Sequence, residues 1–580
     1  MRKVKLWVIA MTAGILINAC DKSYLNKRPL GQLDEAALAN KKGVERLLIG
    51  AYSLLDGIGG NKSWWYSAAS NWIYGSICGS EAYKGSDVDD QGPEINPIEK
   101  FSMTASNACL ASKWGTVYDG VQRANDVLRI MAKATDISED DQKRIRAEAK
   151  FLRAHYHFEA KKMWNKIPFI DETITYGNGN YHVSNQTDAW PNIENDLLFA
   201  IRNLKTTPYQ GAVGRATKYT ALALLAKAYM FQKKFALAKP LLDTIINYGP
   251  FKLVKYHNNF NPAERNSDES IFSVQMSVND GIGPNDIITN GNLGDVLNFP
   301  YSPLNSPYSC CGFFQPSQYL VNHFKTDAAG LPDLDNFNDI DVKHDNGILS
   351  SDPFDPDTRT LDPRLDWTVG RRGIPYLDWG NHPGAAWIRD SAYGGPYSPK
   401  KNLYYQSQQG QQHDQGFWTN GSTTNNVNLI RFADVLLWAA EVEAELDNLI
   451  KARDYVNRIR RRAADTSGWV KKADGSFAAN YKVGEYESPW TDRASALKAI
   501  RYERILELAM EGHRFFDLVR WGIADIGIRN YLDKEKTRRS HLIGAVFQKG
   551  RNEYFPIPQL QIDLSTGADG IAKMIQNPGY

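Results

Sequence analysis

Three stretches of this chain crowd large aromatic rings among amides, carboxylates and guanidinium groups. The first holds Trp64, Trp65, Tyr66, Trp72, Tyr74 and Tyr83, with Asn61, Asn71, Glu81, Lys84 and Asp87 between them. The second holds Tyr301, Tyr308, Cys310, Cys311, Phe313 and Phe314. The third holds Arg371, Arg372, Tyr376, Asp378, Trp379, Trp387, Arg389, Tyr393 and Tyr397 among glycines and prolines. Such sets suit a sugar, whose apolar C–H patches lie against ring faces while its hydroxyls pair with Asn, Asp and Arg. With 15 Trp and 29 Tyr, the chain has more rings than a core needs. Roughly half of those in the loops are expected to plug them from beneath. The ligand-binding candidates are Asn61, Trp64, Trp65, Trp72, Asp87, Cys310, Cys311, Arg371, Arg372, Trp387 and Tyr397.

Catalytic signatures are missing. There is no GxSxG, HExxH or Walker loop, and no GxGxxG before a helix. Carboxylates are plentiful, but nothing in their spacing pairs two across a glycosidic bond. The ten histidines are scattered, and His155 and His157 fall inside a helical pattern that reads as core. The acidic stretch from Asp333 to Asp357 fails the EF-hand pattern, because Phe337 and Lys343 stand where oxygen ligands belong. It reads as a solvated loop, and calcium is the one cofactor it leaves open. A formal charge of +2 without a basic stripe gives no reason to expect nucleic acid as a partner. No catalysis is expected.

The chain opens with Arg2, Lys3 and Lys5, followed by an apolar run from Leu6 to Ile17. That run is short of the roughly 20 residues a membrane-spanning helix needs, and it reads as an export signal. It ends Ile17-Asn18-Ala19-Cys20, which resembles a bacterial lipobox and makes Cys20 the expected lipidation site. Acyl chains on Cys20 would anchor the protein, with about 0.8 kcal/mol per buried methylene. The expected division is a signal peptide over 1–19 and a lipidated tether over 20–40. Cys78, Cys109, Cys310 and Cys311 remain, with three possible pairings. One of them closes a ring between neighbours, and an exported protein can keep such bonds.

The elements that must position these groups are helical. Lys41 to Leu55 carries Val44, Leu47, Leu48, Ala51, Leu54 and Leu55 on one face. Helical patterns recur at 107–134, 140–164, 189–205, 216–232 and 234–248. Tyr219 to Pro250 fits a 34-residue tetratricopeptide unit, with Ala226, Tyr229, Ala238, Leu242 and Ile245 in register. Arg431 to Arg462 matches the same template more weakly. Residues 249 to 429 are irregular and rich in Gly, Pro, Asn and aromatics, with a short strand expected at Ser270–Gln275. A second irregular stretch covers 57–102. Binding residues gather on such loops when a rigid frame holds them. The expected fold is mainly α: a tetratricopeptide-like scaffold of helical pairs with a long, loop-rich insert carrying short strands. Within it lie a helical part over 41–270 with an aromatic loop at 57–102, an insert over 271–429, and a second helical part over 430–580.

Arg501 to Trp521 is too polar for an ordinary amphipathic helix. Glu503, Glu507 and Glu511 stand at i, i+4 spacing among large apolar residues, which predicts buried ion pairs, and Gly512 marks a bend or stop. Glu503, Arg504, Glu507, Leu508, Glu511, Gly512, Arg514, Asp517, Leu518, Arg520 and Trp521 resemble the C-terminal signature of the SusD/RagB family, outer-membrane nutrient-binding lipoproteins of Bacteroidetes. The closing Tyr554-Phe555-Pro556-Ile557-Pro558 and Gln576-Asn577-Pro578-Gly579-Tyr580 are similar to that family's ends. The resemblance covers nearly the whole chain. It implies that the signature helix is scaffold and that ligands meet the loops on the face away from the repeats. It also implies a lipid-anchored glycan-binding protein on the outer membrane, facing the cell exterior, that serves a SusC-like TonB-dependent transporter. A fructan or another neutral glycan is the expected ligand. A peptide-binding relative and a tetratricopeptide-type protein-interaction scaffold are the alternatives.

Overall fold

The computed structural model describes residues 35–59, 64–282, 289–302, 307 and 310–580. Cys20 and the leader, Asn61 and Tyr308 lie outside the described residues. The frame is a succession of helices, each packed on the next: α1 (Lys41–Ser53), α2 (Ala108–Met131), α3 (Glu139–Trp164), α4 (Trp190–Asn203), α5 (Lys218–Phe231) and α6 (Phe235–Tyr248). The series continues with α7 (Phe432–Glu445), α8 (Leu449–Ala464) and α9 (Arg493–Leu508). α6 packs directly on α7, so the helical stack runs on as though the residues between them were absent. Two further helices, the short α10 (Arg514–Trp521) and α11 (Ala524–Arg538), follow. The expected helical-pair architecture is therefore present.

Local chemistry explains the elements. Side chains of Asn40, Asn107, Ser138 and Thr217 accept from free backbone N–H groups at the starts of α1, α2, α3 and α5. α5 is buried on nearly every side, and its alanines (Ala221, Ala223, Ala226 and Ala228) let its neighbours approach. Gly120 does the same between α2 and α3: a Cβ there would lie 2.5 Å from the Tyr156 ring.

Three small ladders pin the irregular segments. β1 (Ala82–Gly85) pairs antiparallel with β3 (Phe313–Pro316), joining the first loop to the insert. β2 (Ser270–Val274) pairs with β6 (Val427–Arg431), which brings the two ends of the insert together with Ser270 opposite Arg431. β4 (Val369–Gly370) pairs with β5 (Ser398–Pro399).

An ion network joins the insert, the β2–β6 ladder, α8 and α9. Five cations (Arg364, Lys401, Arg431, Arg460 and Arg462) face five carboxylates (Glu269, Asp362, Glu503, Glu507 and Glu511); eight of these residues are buried, and Arg462 and Glu511 are partly buried. Arg431 reaches Glu269 at 2.7 Å, Glu507 at 2.6 Å and Glu511 at 2.9 Å. Arg364 reaches Glu503 at 2.7 Å and Glu507 at 3.0 Å, while Arg460 meets Glu503 at 2.8 Å. A second set ties α7, α9 and α10: Arg504 to Asp434 and Asp517, and Arg520 to Asp517 and Glu441.

The signature run is two helices rather than one. Between α9 and α10, Met510 and Gly512 take φ of 64° and 76°. A Cβ on Gly512 would lie 1.9 Å from the Ser70 carbonyl oxygen, so glycine is required there. The turn thereby docks on the first loop, and the Met510 N–H donates to Glu81 at 3.2 Å.

Glu507→Gln leaves Arg364, Arg431 and Arg462 short of a charge. Urea unfolding is expected to show a loss of about 3–5 kcal/mol. Burial alone would raise the Glu511 carboxyl, but Arg431 and Lys401 outweigh it and hold it down at about 2. Against the same burial, Arg462, Arg431 and Arg364 hold Glu507 below the usual range. Carboxylates with folded values below the unfolded value of about 4.3 stabilise the fold above it and stop doing so as pH falls. Circular dichroism is therefore expected to show acid unfolding as pH drops from about 4 toward 2; retained structure at pH 2 contradicts this role for the network.

Candidate functional site

Residues Gly291–Tyr301 thread between three segments and bring the aromatic groups together. The Asn292 N–H donates to the Thr423 carbonyl at 2.8 Å, on the loop that carries Phe417 and Trp418. The Trp72 indole donates to the Gly294 carbonyl at 3.1 Å, fixing the first loop. Phe313 N–H donates to Leu297 at 3.2 Å, and Tyr301 N–H to Trp387 at 3.0 Å.

Trp64 is the hinge of a ring cluster. It lies 6.0 Å from Trp65, edge to face at 88°, and 6.1 Å from Phe417. Phe417 is buried and lies 5.7 Å from Trp418, which is 55% exposed. Trp65 is half-buried, and its indole donates to Gln91 at 3.1 Å. The aromatic floor thus has polar edges already partly engaged. Tyr301, 38% exposed, lies with the Arg389 guanidinium 5.0 Å from its ring. Arg389 in turn pairs with Asp87 and Asp90, each at 2.6 Å. Cys310 and Cys311 are joined to each other; Cys311 is buried, and half-buried Cys310 packs on the cluster of Phe299, Tyr376, Trp387 and Tyr404. Cys78 and Cys109 are buried and unpaired.

Several candidate side chains sit inside the protein, with their groups already committed. Trp72 is 1% exposed and wedged against Phe313 and Phe314. Arg371 is bound through two nitrogens to Asp366 at 2.6 and 2.9 Å. Arg372 donates to the carbonyl of Ser350 at 3.0 Å and to that of Asp352. Trp387 packs edge to face on Tyr376 and His382. The Tyr397 hydroxyl, fully buried, donates to Gln318 at 2.9 Å. The expectation that these five present faces to a ligand is corrected: they support the loops from within. Asp87 reaches the surface, but its carboxylate is engaged by Arg389. Trp64, Trp65 and Cys310 keep exposed area.

Trp418 belongs to no aromatic group singled out from the sequence. Its signal was the Phe417-Trp418 pair closing a run of glutamines and glycines, too polar to bury both rings.

Two other features are engaged within the protein itself. A cleft of about 600 Å³, open mouth included, is lined by Asn292, Asp295, Asn298, Asn402, Asn425 and Asn428. Its amides serve the fold: Asn292 and Asn298 donate to Asp295 at 2.8 and 3.3 Å, and Asn425 to the Phe260 and Leu403 carbonyls. The acidic stretch disperses, with Asp335 meeting Lys498, Asp341 meeting Arg538, and Asp357 meeting Arg359. Among the described residues, no group of three or more His, Cys, Asp or Glu could hold a metal ion.

The split between buried and exposed tryptophans is measurable. Trp72→Ala is expected to cost about 3–5 kcal/mol of stability. Trp418→Ala is expected to stay within about 0.5 kcal/mol. Equal unfolding midpoints for the two variants would refute the assignment.

Comparison with known proteins agrees with this layout. The family model described as "SusD family" matches residues 268–580, and one described as "Starch-binding associating with outer membrane" matches 53–230. A SusD-like protein of Formosa agariphila is 26% identical over 515 residues, 84% of each chain. A SusD-like protein of Bacteroides ovatus is 27% identical over 291 residues, 47% of this chain and 50% of its own. Among solved structures, a laminarin-binding SusD-like protein superimposes with a TM-score of 0.64 at 22% identity, covering 93% of this chain and 100% of its own. Surface glycan-binding protein A from Bacteroides thetaiotaomicron, in complex with laminarihexaose, gives 0.65 at 19% identity, covering 93% and 99%. Matched by the family model over more than half its length, the chain belongs to the SusD family.

Proposed function

We propose that the protein binds a neutral glycan on the surface formed by Trp64, Trp65 and Trp418, with Tyr301 as a further stacking face. The observation that carries this reading is the ring cluster itself: Trp418 is more than half exposed beside buried Phe417, which packs on half-buried Trp64. An indole this exposed contributes little to stability, and its area is available to a ligand. Indole faces on a fixed base suit the C–H side of a sugar ring. The near-zero charge favours a neutral glycan over an anionic one.

The protein acts as a lipid-anchored lipoprotein of the outer membrane, held through Cys20 and facing the cell exterior, and hands its glycan to a SusC-like TonB-dependent transporter. What supports this is membership of the family, together with a family model named for association with the outer membrane. It binds without catalysis; in support, Asp87 and Asp90 near the site both face Arg389 rather than each other across a gap. The names of the solved relatives add laminarin, a neutral glucan, to fructan as ligands to try.

Isothermal titration against fructans, laminarin oligosaccharides and peptides tests the reading. Trp64→Ala or Trp418→Ala is expected to lower affinity for the bound glycan about tenfold, roughly 1.4 kcal/mol. Trp72→Ala, if folded, is expected to act through stability alone. Binding of peptides but no glycan would overturn the glycan reading in favour of a peptide-uptake protein.

A further inference from the structure

Tyr301 is an exposed ring in an irregular segment, yet its surroundings are fixed in layers. Lys84 is fully buried and donates to the carbonyls of Asp87 and Asp90, each at 2.6 Å, so the loop is wound on an internal ammonium. The Asp87 carboxylate is oriented by the N–H groups of Asp89 and Asp90, at 3.0 and 2.8 Å. That loop then holds Arg389 at three points: Asp87 and Asp90 at 2.6 Å, and the Ser86 hydroxyl at 2.8 Å. The guanidinium lies 5.0 Å from the Tyr301 ring, whose own backbone is tied to Trp387.

Exposed ion pairs add little to stability, so this amount of charge around one arginine is poorly explained by folding alone. The pairs do fix a plane. A guanidinium with two carboxylates and a hydroxyl on its terminal nitrogens has few donors left for a ligand, but it stays over the ring, 5.0 Å from its centroid. We propose that Arg389 is a positioning residue: clamped by Asp87 and Asp90, it holds Tyr301 at a set angle as a stacking face for a sugar ring. The proposal rests on the glycan reading above, and it replaces the expectation that Asp87 meets the ligand itself.

Two measurements on the full-length protein test it. A fluorotyrosine placed at position 301 is expected to give one narrow 19F line without ligand. Arg389→Met, and Asp87→Asn combined with Asp90→Asn, should shift and broaden that line. Arg389→Lys should fall between, because it keeps the charge and loses the plane. An unchanged line in Arg389→Met overturns the proposal whether or not any glycan binds. With the glycan identified by titration, Arg389→Met is expected to lower affinity about fivefold in the parent and not at all in a Tyr301→Ala background. An equal loss in both backgrounds also overturns it, because Arg389 would then act on the ligand directly. Thermal unfolding midpoints identify any variant that has lost its fold. A parent protein that binds no glycan, with the line moved as expected, sinks the glycan reading and leaves the clamp standing.

Discussion

The contact on which the rest of the molecule depends is that between Arg431 and Glu507. Arg431 ends the strand on which the insert returns, and Glu507 lies in the last turn of α9. Their pairing at 2.6 Å is buried, and every neighbouring charge is answered in turn by Glu269, Glu511, Arg364 or Arg462. A buried charge without its partner is far costlier than one on the surface. The helical frame, the insert and the turn at Met510–Gly512 therefore have one mutual arrangement in which all charges are met. That turn seats the first loop through Glu81 and Ser76. Order passes from the network to the turn, then to the loop, and so to the aromatic surface.

The helices were legible in the sequence from apolar residues at helical spacing, a stripe on most of them and nearly all faces on α5, and the boundaries of α3, α5 and α6 fall within about two residues of the pattern. The acidic spacing of Glu503, Glu507 and Glu511 gave away a buried network, and Gly512 gave away its break. The partners did not show: Arg364, Arg431, Arg460 and Arg462 lie on other elements, and nothing local marks which arginine faces inward. The SusD-like signature covered that gap by likeness rather than by physics.

The aromatic loops were legible as a region and not as residues. Trp64 and Trp72 stand eight positions apart in the same kind of sequence, yet one keeps exposed area and the other is sealed between Phe313 and Phe314. An irregular backbone has no period, so composition does not say which ring turns in. Arg371 and Arg389 show the same limit among cations: one is locked on Asp366 in the interior, the other reaches the surface. The insert is stabilised by the same residue types that would serve a ligand, because loops without helices need rings and amides to fill and satisfy their own interiors.

The pairing of β2 with β6 places the departure and return of the insert side by side, with Ser270 opposite Arg431, while α6 and α7 pack as though contiguous. The whole excursion is thus a cassette on a closed socket. Because the entropy of closing a loop grows only slowly with its length, the parts of the cassette outside the ion network can change length at little cost to the socket.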